Sequence, residues 1–306
     1  MFDMHTSTPD FIGQTAPRAL RTHLLVATAL VTTLMLSSCA ATENTPKNPA
    51  AAQAAPSSQQ NARDQLPDAP QDENAIREAA VTSTKSQDYV AAAAYWGSLY
   101  DKNENDTESA LNYSKALRQI GSVPQALSVM QNAQRVSPDN ADVLAEYGKT
   151  LTASGHPDQA SAVLASAFEK SPDDWTILSA QGVTFDQLGR YKDAQDKYQA
   201  ALKIVPDNPS VLTNLGLSYA IEGKLDDAET TLRKAVSNPS AAASARQNLA
   251  VVLALQGKFD EATRLARADL PLNVADNNIA YLRDMLTQPA LWKQMETLDQ
   301  SKPAAN

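Results

Sequence analysis

The chain is poor in the residues that most enzymes use. Its 306 residues include a single cysteine, Cys39, so no disulfide can close within the chain and no thiolate cluster can hold zinc. Of its three histidines, His5 and His23 lie in an N-terminal segment read below as an export signal. His156 remains, in the turn Gly155-His156-Pro157, with no second histidine or cysteine to complete a triad, a dyad or a transition-metal site. No two glycines are spaced as GxG, and the GK[ST] at Gly148-Lys149-Thr150 has Val143 where a P-loop needs its first glycine. Carboxylate pairs such as Asp173-Asp174 and Asp226-Asp227 fall at helix caps or exposed helix starts. Hydrolase and nucleotide-binding chemistries are therefore excluded, and no cofactor, metal or small-molecule substrate is expected. Basic charge is also short. With 26 Lys and Arg against 35 Asp and Glu, the formal charge of -9 opposes attraction to nucleic-acid phosphates or anionic head groups. Protein partners are expected instead. Aromatics make up only 6% of the chain, which suits helices whose backbones approach closely.

No long apolar run stands out either. Leu24 to Leu36 is too short to span a bilayer comfortably, but it follows Arg18, Arg21 and His23 and has the length and flanks of a signal-peptide h-region. Residues Leu36-Ser37-Ser38-Cys39 directly after it are similar to the lipobox of bacterial lipoproteins. That resemblance implies cleavage before Cys39, acylation of its side chain and a membrane anchor, with residues 1 to 39 as the signal segment. Residues 40 to 72 are rich in Ala, Pro, Gln, Asn and Ser, with prolines at 46, 49, 56, 67 and 70 and no hydrophobic period. They read as a disordered tether, on the order of 30 Å in mean span.

What the chain does have is a ladder. Gly121, Gly155, Gly189, Gly223 and Gly257 stand 34 residues apart, and Ala126, Ala160, Ala194, Ala228 and Ala262 keep the same step. A third rung set runs Ser114, Gly148, Gly182, Gly216 and Ala250. A fixed period of that length marks a repeat architecture, and a solenoid of helix pairs offers binding surface in place of an active site. Six units fill residues 73 to 276. In the unit 209 to 242, Leu212, Leu215, Gly216 and Tyr219 lie on one face of a first helix, Gly223 begins the turn, and Ala228, Leu232 and Ala235 lie on a second helix. This pattern resembles the tetratricopeptide (TPR) repeat, which implies an all-α, right-handed solenoid of about six repeats. Small residues where the two helices cross let their backbones close up. Pro138, Pro172 and Pro206 stop each second helix, and the Asp-Asn or Asp-Asp that follows caps the next. The first unit lacks both glycines and the last drifts after Ala262, as terminal repeats do. Residues 277 to 306 carry Ile279, Leu282, Met285 and Leu286 at helical spacing, then Pro289 and a second apolar set ending at Leu298. They read as capping helices and a tail.

The TPR resemblance places the binding groove on the first helices. Carried over position by position, it implies a polar stretch with Asn112, Lys115, Arg118 and Lys149, and an apolar stretch with Asn214, Leu217, Ile221, Asn248, Val251 and Leu255. The lysines that clamp a carboxylate in chaperone-type TPR proteins are absent, since Glu108, Asp142, Thr176, Ser210 and Ser244 occupy those positions. Asn112, Asn214 and Asn248 share one register position, where an amide either bonds the backbone of an extended peptide or is simply solvated. The aliphatic group is either covered by the C-terminal helices or open to a partner's helix. Finally, residues 268 to 292 (ADLPLNVADNNIAYLRDMLTQPALW) are similar to the C-terminal region of TadD-type lipoproteins of Flp/Tad pilus systems. That resemblance implies a scaffold facing the periplasm from the outer membrane, with a secretin or another pilus-assembly component as partner. An adaptor for cell-wall enzymes shares every feature except this ending.

Overall fold

The computed structural model describes residues 72–287. The lipobox cysteine Cys39, the tether up to residue 71 and the apolar positions after Pro289 lie outside the described residues. Thirteen α-helices make up the described part, which contains no strand. They come in pairs: α1 (Glu73–Lys85) with α2 (Tyr89–Lys102), α3 (Thr107–Gln119) with α4 (Val123–Val136), and α5 (Ala141–Ala153) with α6 (Pro157–Lys170). The pairing continues through α7 (Trp175–Gln187) and α8 (Tyr191–Ile204), α9 (Pro209–Glu222) and α10 (Leu225–Val236), and α11 (Ala243–Leu255) and α12 (Phe259–Ala266), before α13 (Leu272–Thr287) ends the series. First helices start at 73, 107, 141, 175, 209 and 243, and second helices at 89, 123, 157, 191, 225 and 259, so both sets keep the 34-residue step of the ladder.

The two kinds of helix start by different chemistry. All first helices but α11 are capped by side chains: Asp72, Asp106, Asn140, Asp174 and Asn208 each accept a hydrogen bond from a backbone N–H two or three residues on. From α4 onward the second helices have no such cap and are entered through a left-handed residue instead. Gly121, Gly155, Gly189, Gly223 and Gly257 hold φ between 71° and 90°. The next residue then turns its N–H back onto the end of the first helix, as in His156 N to Leu151 O at 2.9 Å and Arg190 N to Phe185 O at 2.8 Å. In the first pair the same place is taken by Gln87, at φ 62°. Each second helix of the three central units ends two residues before Pro138, Pro172 or Pro206, since a residue ahead of proline is driven out of the helical region.

The second glycine set sits where paired helices cross. A Cβ on Gly148 would lie 2.5 Å from Leu164 Cγ, on Gly182 2.5 Å from Tyr198 Cε1, and on Gly216 2.6 Å from Leu232 Cγ. Each facing side chain is fully buried and lies 16 residues downstream, so helix spacing is fixed by absent side chains meeting large ones.

From α3 onward each first helix also touches the next first helix, whereas successive second helices make no comparable contact. The first helices therefore form the inner, tighter row of the solenoid and the second helices its outer row. At the far end α13 packs on α11 and α12, burying Ala275, Ile279, Leu282 and Met285. It begins at Leu272, directly after Pro271, so the unit edge expected at 276 falls inside this helix. The cause is the short α12, eight residues long, after which Asp269 is held by Arg246 at 2.7 Å and the chain turns early.

Candidate binding groove

The inner row changes character along its length. Between α3 and α5 it is ionic. Glu146 is only 2% exposed, and its carboxylate accepts bonds from Arg118 Nε at 2.8 Å, Arg118 Nη2 at 3.0 Å and Ser114 Oγ at 3.2 Å. Arg118, expected as a groove residue, thus points onto the inner face while two of its N–H groups are held by Glu146, in the fork geometry that suits a carboxylate. Lys149, one turn further along α5, donates to Thr176 Oγ1 of the next unit at 2.9 Å. Burial lowers its pKa from the ordinary lysine value, and Arg118 and Lys115 push the same way, while Glu146 and Asp174 oppose. Lys115 is exposed. Asn112 bonds its own helix, Nδ2 to Glu108 O at 3.0 Å. Arg118, Lys149, Thr152, Val183 and Gln187 enclose a cleft of about 230 Å³ that spans α3, α5 and α7.

In the middle the seam is built of hydroxyls and one carboxylate. Thr152 and Thr184 meet at 2.8 Å across α5 and α7. One repeat later the equivalent positions are Asp186 and Ser218, which bond at 2.6 Å, and Asp186 also accepts from Tyr198 OH at 2.9 Å. Asp186 therefore ties α7, α8 and α9 together. These residues escaped the sequence reading, although the signal was present: Thr152 and Asp186, and Thr184 and Ser218, keep the 34-residue step while remaining polar on faces that are otherwise apolar.

Burial raises the Asp186 carboxyl to about 6, with Glu222 adding repulsion and the bonds from Ser218 and Tyr198 opposing. The folded state holds this proton after the unfolded chain has lost it, so stability present below pH 3.8 declines as pH rises to about 6. Allowing for its partial exposure to solvent, the loss is about 2 kcal/mol. Urea denaturation of the native protein and of Asp186→Asn, at steps from pH 4 to pH 7, should show the native protein losing this much relative to the variant. Parallel pH profiles for the two proteins would rule the effect out.

Toward the C-terminus the row becomes aliphatic. Leu217, Ile221 and Leu255 are partly buried and belong to none of the core clusters described, whereas Val251 packs on the cluster that includes Ile279, Leu282 and Met285 of α13. Asn214 donates to Ser179 Oγ at 3.3 Å across the seam, and Asn248 is buried at 9% exposure. His156 lies exposed in its turn, 3.0 Å from Ser154 Oγ. Among the described residues no cluster of His, Cys, Asp and Glu has the makings of a metal site, and no helix is long and apolar enough to cross a membrane.

Residues 101–212 match the family model for the cytochrome c-type biogenesis protein H TPR domain, and residues 213–270 match the tetratricopeptide repeat model. The chain is a TPR-repeat protein. No curated protein matches it. Among solved structures it is similar to a thermophilic TPR protein from Thermus thermophilus, with 21% identity, a TM-score of 0.54 and coverage of 60% of this chain and 99% of the other. It is also similar to PilW, a type IV pilus biogenesis factor, with 18% identity, a TM-score of 0.53 and coverage of 65% and 93%. At these identities the likeness establishes the fold. The TPR family as a whole mediates contacts between proteins.

Proposed function

We propose that the protein is a non-enzymatic scaffold, anchored through an acylated Cys39 to the outer membrane and facing the periplasm, whose inner TPR groove binds a component of a Flp/Tad pilus machine, a secretin first of all. The observation that carries the binding role is the inner row itself. Successive first helices touch, so equivalent positions from consecutive repeats form one continuous surface, polar at Lys115, Arg118 and Lys149 and aliphatic at Leu217, Ile221 and Leu255. An extended or helical segment laid along such a surface contacts several repeats at once. The anchor and the pilus assignment rest on the lipobox-like LSSC and on the TadD-like ending, and the fold likeness to PilW is compatible with them.

The test uses the detergent-solubilised full chain and a purified secretin. Leu217→Ser with Ile221→Ser should abolish capture while lowering stability by about 1 kcal/mol at most, because both side chains are only partly buried. Cys39→Ser should separately release the protein from membranes, since each buried CH2 of the lost chains contributes about 0.8 kcal/mol. Unchanged capture by the double variant would overturn the groove reading, and full membrane retention of Cys39→Ser would overturn the anchor.

A further inference from the structure

We infer that the cleft between α3, α5 and α7 is a seat for the carboxylate of an aspartate or glutamate side chain in the partner segment. The inference rests on the inner row being the binding surface and adds the chemistry of one anchor point. The protein as a whole carries a charge of -9, yet this cleft gathers cations. Arg118 from α3 and Lys149 from α5 line it, exposed Lys115 of α3 stands outside the lining but near enough to act on Lys149, and Glu146 and Asp174 are the carboxylates that act on Lys149.

Both carboxylates are already engaged. Glu146 faces the Arg118 fork and Ser114, and Asp174 accepts from Thr176 N at 2.8 Å as the cap of α7. Three cations therefore stand against two anions whose lone pairs are directed elsewhere. Lys149 uses one N–H on Thr176 and sits in a desolvated place, where an ammonium gains more from a counter-charge than it does in water. The rest of the lining suits a side chain with a short apolar stem: Val183 for its methylenes, and Gln187 and Thr152 as polar neighbours of its head. A side-chain carboxylate fits better than a chain end, because Glu108, Asp142, Thr176, Ser210 and Ser244 stand where terminal-carboxylate clamps place lysines.

The experiment selects random 12-residue peptides, displayed at the N-terminus of a phage coat protein so that they have no free C-terminus, on the detergent-solubilised full chain. The same selection is run on Lys149→Met, which keeps the stem and removes the charge. Binders of the native protein should be enriched in Asp or Glu at one fixed place, and that enrichment should vanish on the variant. A synthetic, acetylated and amidated binder should lose about tenfold or more in affinity when its acid becomes the amide, and again on Lys149→Met, while Lys149→Arg keeps most of it. Melting curves for Lys149→Met and for a second neutral variant, Lys149→Gln, separate loss of binding from loss of folding. Binders with no acidic enrichment, or peptides indifferent to both changes, overturn the seat and leave the groove standing. No binders to the native protein overturn both.

Discussion

Gly182→Ala should destabilise the solenoid by about 3 kcal/mol, although alanine is the better helix former by about 1 kcal/mol. The added methyl would stand 2.5 Å from Cε1, 2.6 Å from Cζ and 2.8 Å from Cδ1 of Tyr198, so it meets a flat ring face with no flexible end to yield. Tyr198 is 1% exposed and its hydroxyl is tied to Asp186 at 2.9 Å. Moving the ring breaks that bond and leaves a buried acceptor short of a partner, which adds about 1–3 kcal/mol to the overpacking. At Gly148 and Gly216 the facing group is a leucine, able to change rotamer, so Gly148→Ala and Gly216→Ala should cost less. Gly121→Ala tests a different cause. Nothing lies within 4 Å of its Cβ, but φ is 79°, and the cost is the backbone strain of about 1–2 kcal/mol. Urea midpoints of the four variants should fall in that order, with Gly182→Ala lowest. A Gly182→Ala protein as stable as the native one would show that the crossing is loose.

Most of the fold could be read from the sequence because the repeat states each of its rules several times. The helix starts, the left-handed turn glycines, the crossing glycines and the Asx caps all recur at a step of 34, and each has a local physical cause. Where the period fades, legibility fades with it. The start of α13 at Leu272 follows from the shortness of α12, which no neighbouring unit announces. The groove was legible as a set of positions but not as a set of contacts. Register places Arg118 on the inner face, yet register cannot show that Glu146, 28 residues on, turns back to hold it, because that pairing depends on how closely α3 and α5 approach. Likewise Leu217 and Val251 keep the same register position, and the sequence does not show that only Val251 packs on the C-terminal core cluster.

That Arg118–Glu146 pair carries the other large effect, and it should be lopsided. Arg118→Met leaves a carboxylate that is 2% exposed facing a single hydroxyl, Ser114 Oγ at 3.2 Å. Removing one partner of a buried pair costs about 3–5 kcal/mol, and the 22% exposure of the arginine, which lets some water reach the site, brings the expected loss to about 3 kcal/mol. Glu146→Gln should cost less, because the arginine is the more exposed partner and can turn toward solvent while the amide oxygen still accepts one of its bonds. Combining Arg118→Met with Glu146→Gln removes the stranded charge, so the double variant should recover much of what the arginine variant alone lost. A coupling of about 2 kcal/mol between the two sites is expected from the four urea curves. Strict additivity would mean that the pair is open to water and that the α3–α5 seam is held by its apolar contacts, Leu117 and Val143 foremost, both fully buried.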